Sequence, residues 1–188
     1  LGMVRSSADP WAAASEDGST LASRMAPGHR SWFGAYVADG FRHEGGEWAW
    51  GDEASGYIAA SLDDMASYLR MYLNGGVGAT SRVLSASSVS QMLSSGVPDP
   101  NGDTSYAMGW SSFAWDGGEE VFSHDGSVEN YCARMVLLPE RGLAIVVMGD
   151  AADELAGSSL FFDLADGVVA SVVADDASVP DDSGYAEA

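Results

Sequence analysis

The sequence contains no lysine. Its eight arginines stand against 28 acidic residues, which gives a formal net charge of −20 over 188 residues. Nucleic-acid binding needs a basic patch that neutralises phosphates, and anionic membrane surfaces attract the same kind of patch. The charge balance therefore argues against nucleic acid and anionic membranes as partners. It is typical of a highly soluble or salt-adapted surface, with an acidic docking face as the alternative.

Cysteine and long apolar runs are scarce as well. Cys132 stands alone, which excludes an intrachain disulfide and a cysteine-based zinc site, and its apolar neighbours predict a buried core residue. No run approaches the ~18 consecutive apolar residues that a transmembrane helix requires. The first residues, Leu1-Gly2-Met3, offer neither an initiator methionine nor a charged leader. We interpret this start as that of a chain excerpted from a longer one.

The apolar content is nevertheless that of a folded protein. Hydrophobic residues make up 46% of the chain and aromatic residues 10%, which is enough to form a core. The length suits one domain or a large piece of one. We expect residues 1–175 to form a single folded unit, and residues 176–188 to form a loose acidic tail.

Three segments have the pattern of helices. The clearest is predicted to begin at Ser61, which forms a capping box with Asp64, and to end at Asn74-Gly75-Gly76. Its apolar face repeats at helical spacing through Leu62, Met65, Ala66, Leu69 and Leu73. A shorter helix is predicted from Ser85 to about Ser95. A final helix, with an apolar face of Leu160, Leu164, Val168 and Val172, is expected to cover one face of a sheet.

Strand-like runs separate these helices. Short connections join four of them, so they are expected to pair antiparallel: Tyr106 to Trp115, Glu119 to His124, Tyr131 to Leu138, and Leu143 to Met148. Ser31 to Glu44 is predicted to form a strand pair or extended arm that turns at Asp39-Gly40. The loop that carries Trp48 and Trp50 either anchors on the core or lines a ligand groove. The fold class is therefore α+β, an antiparallel sheet meander with flanking helices.

One polar stretch interrupts the strand runs. Ser123-His124-Asp125-Gly126-Ser127 places a titratable imidazole and a glycine without side chain at a strand edge, where a substrate can approach the backbone. The alternative is a histidine that is simply hydrogen-bonded at the end of a strand. A metal site is not favoured, because the three histidines lack the i, i+4 or His-x-His spacing.

Several stretches, taken in order, resemble the class C β-lactamase family. Residues 54–66, continued by LNGG, resemble its segment before and along a helix. Residues 106–110 (YAMGW) resemble its YGLGW strand, residues 123–127 (SHDGS) its GHxGS motif, and residues 137–142 (LLPERG) its hairpin of the same sequence. Leu1-Gly2-Met3 resembles the end of its PLGM element.

The resemblance implies a serine hydrolase of the β-lactamase, D-alanyl-D-alanine peptidase and esterase group, which forms an acyl-enzyme on serine. It implies that the backbone N–H of Ser127 stabilises the tetrahedral oxyanion. It also implies that Gly126 keeps the strand edge clear, and that His124 polarises the site and steers an anionic substrate. No cofactor is implied.

Three departures from the family pattern matter. Without lysine, the Ser-x-x-Lys nucleophile element cannot lie in this chain. Tyr72-Leu73-Asn74 matches the family's Tyr-x-Asn only in letters, because it ends a helix. Asp125 replaces a small neutral residue, so its carboxylate must be paired or turned away, with His124 or an arginine as the expected partner. Carboxylated substrates are therefore disfavoured relative to esters and amides.

These observations predict the C-terminal portion of a β-lactamase-related serine hydrolase, inactive as this isolated chain. The expected partners are a small-molecule or peptidoglycan-like substrate and a missing N-terminal segment, and the isolated chain is expected to self-associate. The resemblance implies an extracellular or cell-surface location. Two alternatives remain: a non-catalytic ligand-binding or regulatory module of the same fold, and a structural acidic domain.

Overall fold

A computed structural model describes residues 1–11, 19–33, 35–38, 56–94, 96–115, 118–128, 130–151 and 157–174. The predicted Asp39-Gly40 turn, the loop with Trp48 and Trp50, and the acidic tail at 176–188 lie outside these residues. The first four strands are short and form two small two-stranded pairs: β1 (Ser6–Ser7) with β4 (Ala59–Ala60), and β2 (His29–Trp32) with β3 (Ala35–Ala38).

Two helices and a six-stranded sheet follow, and a third helix closes the described chain. The helices are α1 (Leu62–Leu73), α2 (Ala86–Met92) and α3 (Gly157–Ala174). The sheet strands are β5 (Val97–Pro98), β6 (Ser105–Ala107), β7 (Trp110–Ala114), β8 (Glu120–Val128), β9 (Tyr131–Leu138) and β10 (Leu143–Gly149). Single-turn 3₁₀ helices lie at Leu21–Arg24 and Pro139–Arg141.

The sheet is an antiparallel meander with the strand order β10-β9-β8-β7-β6-β5. Because side chains alternate between the two faces of a strand, each face of the sheet carries its own apolar cluster. One face packs on α1 and α2 through Leu69, Met71, Tyr72, Val89, Trp110, Phe122 and Leu137. The other packs on α3 through Val121, Val136, Leu138, Ala165 and Val169. The predicted α+β fold class is confirmed.

The cap signals of the first two helices are confirmed. The Ser61 side chain accepts a hydrogen bond from the Asp64 N–H at 3.2 Å, as the capping box predicted. After α1, Gly75 and Gly76 adopt φ values of 57° and 90°, which glycine tolerates without strain. The Ser85 side chain caps α2 in the same way. This helix ends at Met92, three residues before the predicted Ser95.

The predicted apolar face of α3 is wrong by one residue. Ala165 and Val169 are fully buried against the sheet, and Val173 packs beside them. Of the four residues predicted to cover the sheet, Leu160, Leu164 and Val168 are 55%, 50% and 45% exposed, and Val172 is partly buried. The helix is apolar on both faces, so the repeat of large residues every fourth position could not show which face the sheet covers.

Three predicted strand runs also differ from the structure. The run predicted from Glu119 to His124 is longer, because β8 continues to Val128 and includes the whole polar stretch. The run from Tyr106 to Trp115 is split into β6 and β7 by a turn at Met108 and Gly109, whose φ values are 44° and 90°. A methionine in the left-handed region gives no turn signal in the sequence, which explains the miss. The arm of β2 and β3 is a hairpin as predicted, but it turns between Trp32 and Ala35, earlier than Asp39-Gly40.

Candidate functional site

The motif at residues 123–127 lies in the second half of β8, where the strand extends past one of its neighbours. The pairing of β7 with β8 begins at Ala114 opposite Glu120 and ends at Ser111 opposite Ser123. Pairing between β8 and β9 continues to Val128–Tyr131. On its β7 side, β8 therefore has no strand partner among the described residues from position 124 to 128. The sheet has an open edge at the motif.

The backbone of Ser127 faces this open edge. Trp115 N–H donates to the carbonyl of Glu119 at 2.8 Å, which marks a hydrogen-bonded pair at the start of the β7–β8 ladder. In an antiparallel ladder such pairs recur at every second residue. The backbone N–H and C=O groups of Ser123 point to β7 in the same way. The alternation continues along the strand, so those of Asp125 and Ser127 point in the same direction. The N–H groups of Asp125 and Ser127 are thus directed outward along the unpaired edge.

The side chains of the motif divide between the two faces of the sheet. His124 and Gly126 lie on the face of α1 and α2, because they alternate in phase with the buried Phe122. His124 pairs across the ladder with Met135, which packs against the same cluster. Its imidazole is half-buried and has no hydrogen-bond partner in the part of the chain that the structure describes.

Gly126 leaves bare backbone beside this imidazole. A Cβ atom built on it would meet no heavy atom within 4 Å, apart from its chain neighbours. The residue is therefore not required by packing among the described residues. Its position instead keeps the open edge free of a side chain between His124 and Ser127.

Asp125 points to the opposite face, toward α3, and is paired. Its carboxylate accepts a hydrogen bond from Arg134 Nη1 at 3.0 Å, and Arg134 Nη2 donates to Asp166 of α3 at 2.8 Å. The guanidinium also lies over the ring of Phe162, with Cζ 4.6 Å from the centroid. Of the two expected partners of Asp125, His124 and an arginine, the structure provides the arginine. The carboxylate is turned away from the face on which His124 lies.

Arg134 is a site residue that was not predicted from the sequence. The sequence feature that could have identified it is an arginine in the middle of an apolar run that is predicted as a strand. Arg134 is only 7% exposed, and a buried charge is stable in a protein only when it is paired. That rule implies a carboxylate partner, and Asp125 is an acidic residue on the preceding strand of the hairpin.

The closed end of the β8–β9 hairpin contacts the start of the β2–β3 arm. Tyr131 Oη donates to the carbonyl of Ala26 at 2.6 Å, and His29 N–H donates to the carbonyl of Asp150 at 2.6 Å. A Cβ atom on Gly28 would lie 2.6 Å from the Asn130 side chain, so only glycine allows this approach. These contacts fix the start of the arm against the ends of β9 and β10.

Cys132 does not supply a substitute nucleophile. It is 6% exposed on β9, as predicted, and pairs with Ser127 across the ladder. Burial, with a contribution from the Asp150 carboxylate, raises the pKa of its thiol to about 11. The thiol is therefore protonated at neutral pH, whereas the thiolate is the form that attacks.

The remaining sequence patterns have structural roles. Tyr72 is 3% exposed and its ring stacks edge-on against Trp110, while Asn74 caps the end of α1. This pair therefore does not form a Tyr-x-Asn element in a cleft. The described residues contain no group of three His, Cys, Asp or Glu side chains that could hold a metal ion. None of the described helices is long and apolar enough to cross a membrane.

Comparison with known proteins shows which family this chain resembles in sequence and in fold. A family model described as Beta-lactamase matches residues 1–160. The octameric penicillin-binding protein homologue from Pyrococcus abyssi shares the fold with a TM-score of 0.54 and 21% identity, over 79% of this chain and 31% of its own. A D-stereospecific amidohydrolase from Streptomyces sp. gives a TM-score of 0.53 and 15% identity, over 84% of this chain and 42% of its own. None of the curated proteins matches significantly.

Proposed function

The chain belongs to the Beta-lactamase family, and from this membership and the open edge of β8 we propose that it is the C-terminal portion of a serine hydrolase. The proposed reaction is acyl transfer from a β-lactam, a D-alanyl peptide or an ester to a serine. This serine would lie in a segment outside the 188 residues, because a Ser-x-x-Lys element needs a lysine. The proposed location is extracellular or at the cell surface.

The observation that supports the proposal best is the unpaired stretch of β8. An acyl substrate that lies along this edge can direct its carbonyl oxygen at the Ser127 N–H. A preorganised backbone donor of this kind stabilises the negative charge that develops when the carbonyl becomes tetrahedral. Gly126 allows the substrate to approach the strand closely, and His124 supplies a polar group on the same face as Gly126.

The role of His124 follows from its surroundings. Its imidazole has no described hydrogen-bond partner, so its nitrogens are available to a substrate or to a group of the missing segment. A histidine can donate a hydrogen bond at neutral pH and carries positive charge when protonated. We assign it to polarising the acyl group and orienting the substrate beside the oxyanion donor.

The missing segment is proposed to cover two surfaces of this chain. The chain spans only 31% and 42% of the length of the two solved structures. In the described part of the chain, β10 pairs on one side only, with β9. On α3, the exposed Leu160, Leu164 and Val168 form an apolar stripe. An unpaired strand and an uncovered apolar stripe both favour association, and the remainder of the same polypeptide is the occupant that we propose.

We therefore expect the isolated 188-residue chain to self-associate. Leu164→Glu should reduce this association without lowering the melting temperature, because the side chain is 50% exposed. The matched control is Leu62→Glu on α1, where the leucine is 55% exposed outside the stripe. Sedimentation velocity over a range of concentrations measures the association of both variants, and thermal unfolding gives their melting temperatures. A monodisperse wild-type monomer with a high melting temperature would show that neither surface needs a cover.

The hydrolase assignment is tested by comparing this chain with the protein encoded by the complete reading frame. The complete protein should become acylated on serine by a labelled penicillin or by a p-nitrophenyl ester. The isolated chain should hydrolyse neither a chromogenic cephalosporin nor the ester above background. Mass spectrometry locates the label, and replacement of the upstream serine by alanine is the control. Stoichiometric acylation of a serine within this chain would refute the proposed division of the site.

A non-catalytic binding module is the second candidate, and the absence of lysine from the chain is the observation that favours it. Such a module would keep the open edge of β8 for ligand binding without covalent chemistry. The reading frame distinguishes the two candidates. An intact gene without Ser-x-x-Lys and Tyr-x-Asn upstream of Leu1 would favour the binding module.

A further inference from the structure

The unpaired half of β8 carries the proposed oxyanion donor, yet it is held by a strand on one side only. Residues 124–128 pair with β9, and the described residues place no strand beside them on the β7 side. A strand with a single neighbour opens locally more readily than a strand held on both sides. Because a misplacement of about 1 Å can cost about 100-fold in rate, a catalytic role for the Ser127 N–H requires a further restraint on this half of β8.

A buried arginine supplies such a restraint. Arg134 lies directly opposite Asp125 in the register of β8 and β9, and its Nη1 donates to the Asp125 carboxylate at 3.0 Å. Its Nη2 donates to Asp166 of α3 at 2.8 Å, and the ring of Phe162 lies against the guanidinium, with the centroid 4.6 Å from Cζ. Arg134 therefore connects the unpaired half of β8 to β9 and to α3 at the same time.

Both ends of this connection are rigid. The guanidinium is planar and directs its donors in a fixed fork. Asp166 follows Ala165, which is fully buried against the sheet, so the backbone that carries this carboxylate cannot shift without disturbing close packing. Asp125 lies two residues before Ser127 on the same strand. Holding Asp125 in place therefore also holds the outward direction of the Ser127 N–H.

Stability alone does not explain a charge at this position. The desolvation of a buried ion pair often cancels its Coulombic gain, and apolar side chains of similar volume often give an equally stable fold. Val136 and Leu138, which follow Arg134 on the same face of β9, are apolar and buried, so an unbranched apolar side chain would suit the position. The arginine adds direction, because its fork bonds to two carboxylates that lie on different elements.

We propose that Arg134 and Asp166 are positioning residues for the oxyanion donor: they hold the open edge of β8 in the geometry that directs the Ser127 N–H at a substrate. Neither residue contacts the substrate in this role. The inference rests on the proposed hydrolase function, and it adds that α3, on the opposite face of the sheet from His124, influences the reaction through β8. The restraint can be measured without any catalytic activity, so its failure and the failure of the proposed function are distinguishable.

Asp166→Ala in the complete protein is the decisive variant. The Asp166 side chain is 39% exposed, and its loss leaves Arg134 paired with Asp125. Hydrogen–deuterium exchange, read by mass spectrometry, should accelerate by about tenfold in peptides that cover residues 124–128, the size expected for the loss of one hydrogen bond to a charged group. Peptides from α1 and β10 should exchange as in the wild type. With a neutral ester, kcat should fall by about tenfold and KM should change by less than about twofold, because an oxyanion donor acts mainly in the transition state.

Two further variants make the comparison specific. Asp163→Ala is the matched control, because it removes the same side chain from an exposed position of the same helix, and it should change neither exchange nor kinetics. Asp166→Glu keeps the carboxylate and should restore most of the wild-type exchange and kcat. Unchanged exchange of residues 124–128 in Asp166→Ala would overturn the proposal, whether or not the protein is a hydrolase. Faster exchange throughout the sheet with a reduced melting temperature, or faster local exchange with a wild-type kcat, would overturn it as well.

Discussion

Replacement of His124 by alanine is expected to lower kcat/KM of the complete protein by about 10- to 1000-fold, or about 1.4–4 kcal/mol of transition-state stabilisation. The reason is the position of the imidazole, which lies beside the open edge of β8 and makes no described hydrogen bond. Folding should change little, because no buried partner is left unsatisfied. Steady-state kinetics with a neutral ester, together with the melting temperature of the variant, measure both effects.

The other two histidines are the controls for this experiment. His29 lies 3.4 Å from the Asp150 carboxylate through Nδ1, at the base of the arm, and His43 lies outside the described residues. His29→Ala and His43→Ala should affect neither kcat/KM nor stability strongly. Full activity with a reduced melting temperature in His124→Ala would make this histidine a structural residue and contradict the catalytic assignment. A loss of about 1–3 kcal/mol of stability is the size expected in that case.

Local signals were sufficient to predict much of this fold. Ser61 with Asp64 and Asn74-Gly75-Gly76 define both ends of α1, because caps and left-handed glycines depend on neighbouring residues alone. The bounds of β9 follow in the same way from an apolar run between two tight turns. The local sequence could not decide between neighbouring residues that suit a buried position equally well. Leu164 and Ala165 both suit an apolar helix face, and only the sheet determines that Ala165 is the buried one.

The candidate site shows the same limit. The motif at residues 123–127 could be identified because its polar residues lie between apolar strand segments. That Asp125 needs a partner follows from the chemistry of a carboxylate. Which arginine meets it depends on the register of β8 against β9, where Asp125 lies directly opposite Arg134. The second partner, Asp166, is 32 residues further along the chain. Such long-range pairs arise from packing and leave no mark on the local sequence.

Gly126→Val is expected to abolish most of the activity while leaving the fold intact. Valine suits a strand, and glycine within a strand is less favourable by about 0.5–1 kcal/mol, so the isolated chain should melt at the same or a higher temperature. The new side chain would occupy the space beside Ser127 through which a substrate approaches the backbone. We expect a decrease of about 100-fold or more in serine acylation by the complete protein, comparable to the loss of an oxyanion donor.

Gly167→Ala is the matched control for this prediction. It lies inside α3, and its new Cβ atom would also meet no heavy atom within 4 Å beyond its own helix backbone and neighbours. Alanine in a helix interior should stabilise the chain by about 1 kcal/mol without changing acylation. Comparison of the two variants therefore separates the effect of adding a side chain at any open glycine from the effect of adding one at the site. If Gly126→Val folded normally and the complete protein were acylated at the wild-type rate, substrates could not lie along this edge of β8, and the oxyanion role of Ser127 would have to be withdrawn.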